Sequence, residues 1–170
     1  AAEPLGRIAW FDGTAWRPLG EGFDGPVHAL VSFQGDLIAA GDFATAGGRP
    51  AAHIARWRDG EWQPLSAGFD YPVYALTVHQ GALYAGGAFS RTGDEHAGRI
   101  ARWTGTTWRP LGAGVNNWVT ALTSFGGQLV VGGKFTRAGD ITVRRVARWD
   151  GHRWLAMSLG MNDRITDFAV

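Results

Sequence analysis

The sequence predicts an all-β protein made of four-stranded antiparallel blades, which is the architecture of a β-propeller. Two observations lead to this prediction. Tryptophans recur at a spacing of 46 residues, and other columns of the sequence keep the same register. Each repeat also contains short runs rich in β-branched and aromatic residues, separated by turns that carry Gly, Asn or Asp. In addition, no segment has the apolar spacing of an amphipathic helix.

The repeat is visible in several columns at once. The main tryptophan column consists of Trp16, Trp62, Trp108 and Trp154. A second aromatic column consists of Phe11, Trp57, Trp103 and Trp149. Glycines recur in step with both columns, at a total glycine content of 26 in 170 residues. Four short strands within one period of 46 residues favour a propeller blade over a solenoid or a sandwich.

The strand pattern also places the blades along the chain. A partial blade is predicted over 7–20, complete blades over 26–65, 72–111 and 118–157, and a lone inner strand over 165–170. The chain, 1–170, is thus expected to be a single propeller segment of about 3.75 blades. Three ways to close the ring stay open. Further repeats in a longer protein are favoured, ahead of association between copies and of closure of one chain as a four-bladed ring.

Composition excludes several function classes. The net charge of +1 predicts no partnership with nucleic acid. No run approaches the roughly 20 apolar residues of a membrane span, so no membrane insertion is expected. The absence of cysteine excludes disulfides, thiolate zinc sites and Fe–S clusters. The five histidines occupy five different places in the repeat. We therefore predict neither a metal site nor a cofactor.

The order of motifs within a repeat resembles a known family. A glycine pair ends the second strand, as in Gly86-Gly87, and an aromatic-Asp-Gly turn then leads to a tryptophan, as Trp149-Asp150-Gly151 leads to Trp154. This order resembles the kelch-type blade of the galactose-oxidase-like propellers. Repeats with this order of motifs are typical of large secreted or surface proteins of bacteria. The resemblance implies an exported bacterial protein, extracellular or on the cell surface.

Candidate binding residues are predicted on one face of the blades. Antiparallel strands bring the blade-to-blade connections and the loops between second and third strands to the same face. These loops are longer than the other turns and differ between repeats, which is where binding residues usually lie. Trp118 has no equivalent in the other repeats. The candidates are Asp24, Asp70, Tyr71, Asn116, Asn117, Trp118, His53, His96 and Arg144.

Three functions are compatible with this pattern, and the first of them is favoured. The first is a non-catalytic binding or scaffolding module with a protein or carbohydrate partner. The second is a propeller enzyme, a polysaccharide lyase or glycosidase, that uses Asp24, Asp70 and Asp163 near the axis. The third is an assembly subunit that completes a ring with other chains. No catalytic residue is predicted, because the sequence has neither a Gly-x-Ser-x-Gly elbow nor a cysteine nucleophile.

Overall fold

The computed structural model describes residues 6–169, which form β-strands and turns without any helix. Three sheets of four antiparallel strands follow one another along the chain, after a first sheet of two strands. The predictions of an all-β chain and of repeated four-stranded antiparallel sheets are confirmed. No helix with the length and apolar character of a membrane span occurs among the described residues.

The strands have the following bounds in chain order. The two-stranded sheet contains β1 (Ala9–Phe11) and β2 (Trp16–Pro18). The first repeat contains β3 (Val27–Phe33), β4 (Asp36–Gly41), β5 (Thr45–Ala46), β6 (Arg49–Pro50), β7 (Ile54–Arg58) and β8 (Glu61–Pro64). The second contains β9 (Val73–His79), β10 (Ala82–Gly87), β11 (Arg91–Thr92), β12 (Glu95–His96), β13 (Ile100–Trp103) and β14 (Trp108–Pro110). The third contains β15 (Val119–Phe125), β16 (Gln128–Gly133), β17 (Arg137–Ala138), β18 (Ile141–Thr142), β19 (Val146–Trp149) and β20 (Trp154–Ala156).

Each four-stranded sheet is a meander with a small hairpin inserted between its second and third strands. The strand orders are β3-β4-β7-β8, β9-β10-β13-β14 and β15-β16-β19-β20. The inserted hairpins β5–β6, β11–β12 and β17–β18 pair separately from the sheets. The inner strands β3, β9 and β15 lie side by side, so that successive sheets are arranged around a common inner side.

Tight turns join the strands at the end of each sheet opposite the inserted hairpins. Gln34 and Gly35 connect β3 to β4 with φ of 52° and 87°. Asp59 and Gly60 connect β7 to β8 with φ of 55° and 84°. Positive φ at both central residues is the type I′ conformation, whose twist matches that of the flanking strands. These turns leave little room for variation in length.

The hydrophobic core lies between neighbouring sheets. One cluster joins the first, two-stranded sheet to the next and includes Ile8, Phe23 and Trp62. Two further clusters fill the spaces between the first and second and between the second and third complete sheets. Strand β10 is buried along its whole length, because it has a sheet on each side. Packing of each sheet on the next therefore supplies the core of this chain.

The inner strand predicted over 165–170 is absent from residues 165–169, and Val170 lies outside the described residues. Ile165 nevertheless occupies the place of an inner strand beside the third sheet. Its carbonyl oxygen accepts a hydrogen bond from Thr120 Oγ1, and its side chain packs on Gly132. An inner strand pairs with the second strand of its own sheet, and no described residue provides such a partner for 165–169.

His79 is a buried titratable group in the interface between the sheets of the second and third repeats. It is the last residue of β9 and is 5% exposed, with Nδ1 at 2.8 Å from Ser124 Oγ. Burial lowers its pKa, because the charged imidazolium loses its hydration there. The folded protein therefore disfavours protonation of this side chain.

We expect His79 to make the protein less stable in mild acid. Below the ordinary histidine pKa of about 6.5, the unfolded chain binds a proton that folded His79 rejects. The free energy of unfolding should therefore fall as the pH drops below that value, and level off below the folded pKa. Urea unfolding at about pH 8 and about pH 5 should show a smaller difference for His79→Gln than for wild type. If the difference in unfolding free energy between the two pH values is the same for His79→Gln and wild type, His79 is not the cause of the acid sensitivity.

Candidate functional site on the loop face

The loop face is the surface formed by the sheet-to-sheet connections together with the inserted hairpins. Each connection is fastened to the hairpin of the next sheet. An isolated bridge joins Phe23 to Ala46, and an equivalent bridge joins Val115 to Ala138. The face is consequently a row of paired loops on a rigid support, rather than a set of independent loops.

Three of the predicted binding residues hold this face together. Asp24 Oδ1 accepts hydrogen bonds from the backbone N–H groups of Ala44 and Thr45, each at 2.9 Å. Asp70 Oδ1 accepts from the N–H groups of Ser90 and Arg91, each at 2.8 Å, and Asp70 Oδ2 accepts from Ser90 Oγ at 2.7 Å. Asn116 Oδ1 accepts from the N–H groups of Thr136 and Arg137, at 2.8 and 2.9 Å. In all three repeats this side chain joins the connection to the hairpin.

Both carboxylates of this set are stabilised in their charged form. The hydrogen bond from the Thr45 N–H is the largest cause that lowers the pKa of Asp24. Burial opposes ionisation of Asp70, but the hydrogen bonds from Ser90 and Arg91 together outweigh it, so its pKa also lies below the ordinary value. Two ionised carboxylates with lowered pKa values suit a structural role better than proton donation to a substrate.

Replacement of Asp70 should loosen the hairpin β11–β12. We expect Asp70→Ala to lower the free energy of unfolding by about 1–2 kcal/mol, because it removes the acceptor for two backbone N–H groups and a hydroxyl. Asp70→Asn is the matched control, since Asn116 makes the same backbone contacts in the third repeat. Chemical denaturation of the two variants should separate them. If Asp70→Asn and Asp70→Ala lower the free energy of unfolding equally, the negative charge of Asp70 matters more than the position of its acceptor oxygen.

The other predicted residues are scattered over the face. Tyr71 is 59% exposed at the start of the second repeat. His96 is exposed on β12, and Arg144 is exposed next to the terminal segment, where its carbonyl oxygen accepts from the Met161 N–H at 2.9 Å. His53 is half-buried at the base of its loop, with a left-handed φ of 69°. Asn117 Oδ1 accepts from the Trp118 N–H at 2.8 Å, which fixes the approach to β15.

An aromatic row crosses the inner part of the loop face, and we use this name for His28, Tyr74 and Trp118. The His28 and Tyr74 rings are 5.3 Å apart between centroids, at 64° to one another. The Tyr74 and Trp118 rings are 5.8 Å apart, at 52°. His28 is the second residue of β3, Tyr74 is the second residue of β9, and Trp118 directly precedes β15. The row thus contains one ring from each of two adjacent inner strands and one ring from the residue that leads into the third.

Two charged groups flank the aromatic row, each located directly after the second strand of a sheet. Lys134 Nζ lies 4.2 Å from the centroid of the Trp118 ring, in a cation–π contact. Lys134 is also the one lysine of the sequence. At the other end, burial raises the pKa of Tyr74, and the charge of Asp42 raises it further. Tyr74 therefore stays a neutral hydroxyl near neutral pH, able to donate and accept hydrogen bonds.

The structure thus brings only one predicted site residue, Trp118, into this row. His28, Tyr74, Asp42 and Lys134 do not belong to the predicted set. Two signals in the sequence point to them. His28 and Tyr74 share an inner-strand column whose residue changes between repeats, and Lys134 occupies a column that holds Asp42 in the first repeat. Variation within a column of a regular repeat marks positions that the fold does not require.

Comparison with known proteins shows the fold and leaves the family open. No family model matches the chain. No curated protein matches it either. Among solved structures, the chain is similar to the computationally designed Ika4 protein, with a TM-score of 0.58 and 18% sequence identity over 89% of this chain and 83% of that chain. At this level of identity the likeness concerns the fold alone, and the resemblance to kelch-type blades stays a prediction.

Proposed function

We propose that this chain is a non-catalytic binding module, a β-propeller segment that binds glycans through the aromatic row of its loop face. The observation that carries the proposal is the contact of Trp118 with both Tyr74 and Lys134. Trp118 is 39% exposed although it directly precedes an inner strand. No other repeat has an aromatic residue at its position. Blade packing therefore does not account for this ring.

The chemistry of the row suits a sugar. A pyranose has an apolar C–H face that stacks on aromatic rings and hydroxyls that need polar partners at its rim. Trp118 offers partly exposed ring surface, and His28 and Tyr74 add rings with polar atoms. Lys134 places a positive charge beside the stacking surface. We therefore expect a preference for acidic sugars, which carry a carboxylate or sulfate that this ammonium group would bind.

An enzyme acting on polysaccharide has less support. That hypothesis relies on carboxylates near the axis, and Asp24 and Asp70 already accept backbone hydrogen bonds. A glycosidase acid requires a carboxyl group with a raised pKa. The pKa values of these two residues are lowered instead.

Glycan binding can be tested with an oligosaccharide array and variants of the exposed tryptophans. We expect Trp118→Ala to weaken binding to every recognised glycan by about tenfold or more, because it removes the stacking surface. Trp10→Ala is the matched control, since Trp10 is also exposed but lies on β1, outside the row. Lys134→Gln should selectively weaken binding of acidic glycans. Equal effects of the Trp10 and Trp118 substitutions, or no glycan binding at all by wild type, would contradict the proposal.

A further inference from the structure

Between the repeats, a pair of aromatic rings on one sheet packs against the connection that precedes that sheet. One end of the described chain exposes such an aromatic pair, and the other end exposes such a connection. Within the chain, each sheet presents a pair of aromatic rings to the connection that precedes it. These pairs, one ring from each of the two outer strands, are Trp57–Trp62, Trp103–Trp108 and Trp149–Trp154, with centroids 5.2–5.3 Å apart. The first sheet has an equivalent pair, Phe11 and Trp16, at 5.5 Å.

Two of the three intact interfaces show what such a pair receives, while the indole N–H of Trp154 has no hydrogen-bond partner among the described residues. Trp62 Nε1 donates a hydrogen bond to the carbonyl oxygen of Leu19 at 2.8 Å, and Trp108 Nε1 donates to that of Leu65 at 3.3 Å. The ring of Phe23 then packs on Trp62, with centroids 4.6 Å apart. One period later, Phe69 packs on Trp108 at 5.1 Å. A carbonyl oxygen and, four residues later, an apolar side chain thus recognise the aromatic pair.

Both halves of this contact are exposed at the two ends of the described residues. At the beginning of the chain, Phe11 is 53% and Trp16 64% exposed, whereas the tryptophans equivalent to Trp16 are buried. At the other end, Met161 is 55% exposed, although its equivalents Phe23, Phe69 and Val115 are buried. Met157 stands where Leu65 stands in the first repeat.

The connection 157–161 also borders a groove of about 480 Å³. The groove lies on the face of the third repeat's sheet that points away from the second repeat. Its lining is mainly apolar and includes Phe125, Val130, Met157, Leu159, Met161 and Phe168. Phe125 is largely exposed there, whereas His79, its equivalent in the second repeat, is covered by the third sheet and contacts Ser124. The surface at this end is therefore the same kind of surface that a following sheet covers elsewhere in the chain.

We propose that copies of this chain associate head to tail, with the connection 157–161 of one copy seated on Phe11 and Trp16 of the next. The Trp16 indole N–H would donate to the Met157 carbonyl oxygen, as Trp62 donates to Leu19. Met161 would pack on the Trp16 ring, as Phe23 packs on Trp62. A second copy fits this surface because the interface it would form continues the one already present between the repeats, between sequences of the same pattern.

The test is sedimentation velocity of the 170-residue chain over a wide dilution series. We expect a mass that rises with concentration above the monomer value of 18.3 kDa. Trp16→Ala and Met161→Arg should each weaken association by about 30-fold or more, as truncation of an interface anchor does. Both side chains are exposed, so far-UV circular dichroism should be unchanged. Tyr71→Ala, which alters an exposed aromatic side chain in the connection between the first and second complete sheets, should associate like wild type.

A mixture of the two variants gives the sharpest outcome. Each variant has lost one half of the contact, and the mixture retains one intact pair of halves: Met161 on the Trp16→Ala copy and Trp16 on the Met161→Arg copy. We expect the mixture to form dimers that neither variant forms alone. A wild-type chain that stays monomeric at every concentration would overturn the proposal. Association that is unaffected by both substitutions, or not restored by mixing, would overturn it as well.

Discussion

Trp62→Ala should lower the free energy of unfolding by about 3–5 kcal/mol. The Trp62 side chain is fully buried between the sheet of the first repeat and the two-stranded sheet that precedes it. Its ring contacts Phe23 and Trp57, and its indole N–H donates to the carbonyl oxygen of Leu19. Truncation would leave a cavity and remove the donor from that carbonyl. Such a loss is a large fraction of the stability of a typical domain, about 5–15 kcal/mol.

Trp16→Ala is the natural control for this prediction. Trp16 occupies the same place in the repeat, but its ring is largely exposed. At a protein concentration low enough to keep the chain monomeric, its truncation should cost less than about 1 kcal/mol. Guanidinium unfolding monitored by circular dichroism would compare the two variants. Similar losses for both would show that the burial of Trp62 between sheets is not what stabilises the protein.

Gly87→Ala should destabilise the protein by about 2–3 kcal/mol through a clash with the backbone. A Cβ at Gly87 would lie 2.2 Å from the carbonyl oxygen of Pro72 and 2.9 Å from the Val73 Cα. The pairing of β10 with β9 shifts register between Gly86 and Gly87, which brings the two chains close together. The glycine column requires the same closeness in the other repeats, where the corresponding distances are 2.0 Å at Gly41 and 2.1 Å at Gly133.

Gly81→Asn separates this steric effect from a general loss of glycine. Gly81 has a positive φ of 73°, but among the described residues no atom lies within 4 Å of its Cβ position. Asparagine tolerates left-handed backbone better than most residues, so this change should cost less than about 1 kcal/mol. Thermal unfolding of both variants provides the comparison. If Gly87→Ala is as mild as Gly81→Asn, the backbone approach at Gly87 is looser than the structure indicates.

The repeated sheets could be predicted from the sequence because the same pattern of strand and turn residues recurs in every repeat. In the second repeat, for example, the strands of the four-stranded sheet run from Val73 to Pro110. The inserted hairpins could not be predicted from the sequence. Their strands are two residues long, too short for an alternation of apolar and polar residues. Side-chain contacts such as that of Asp24 with Thr45 define them instead.

The candidate site was harder to predict than the fold, for a physical reason. The loop face could be located from loop lengths, but the aromatic row joins residues that are 44–46 positions apart in sequence. Only the side-by-side placement of β3, β9 and β15 brings these rings together. Conversely, Asp24 and Asp70 look like free polar groups in a variable loop. Their hydrogen bonds to the next hairpin become visible only when the sheets are packed.

We propose that the repeated tryptophans stabilise the packing between sheets and that Trp118 binds ligand. Indole N–H signals in a ¹⁵N–¹H spectrum test it directly, because each of the nine tryptophans gives its own resonance. On titration with an acidic oligosaccharide selected on the array, the Trp118 signal should shift progressively while those of Trp62, Trp108 and Trp154 stay in place. Shifts confined to the repeated tryptophans, with Trp118 unmoved, would contradict the claim.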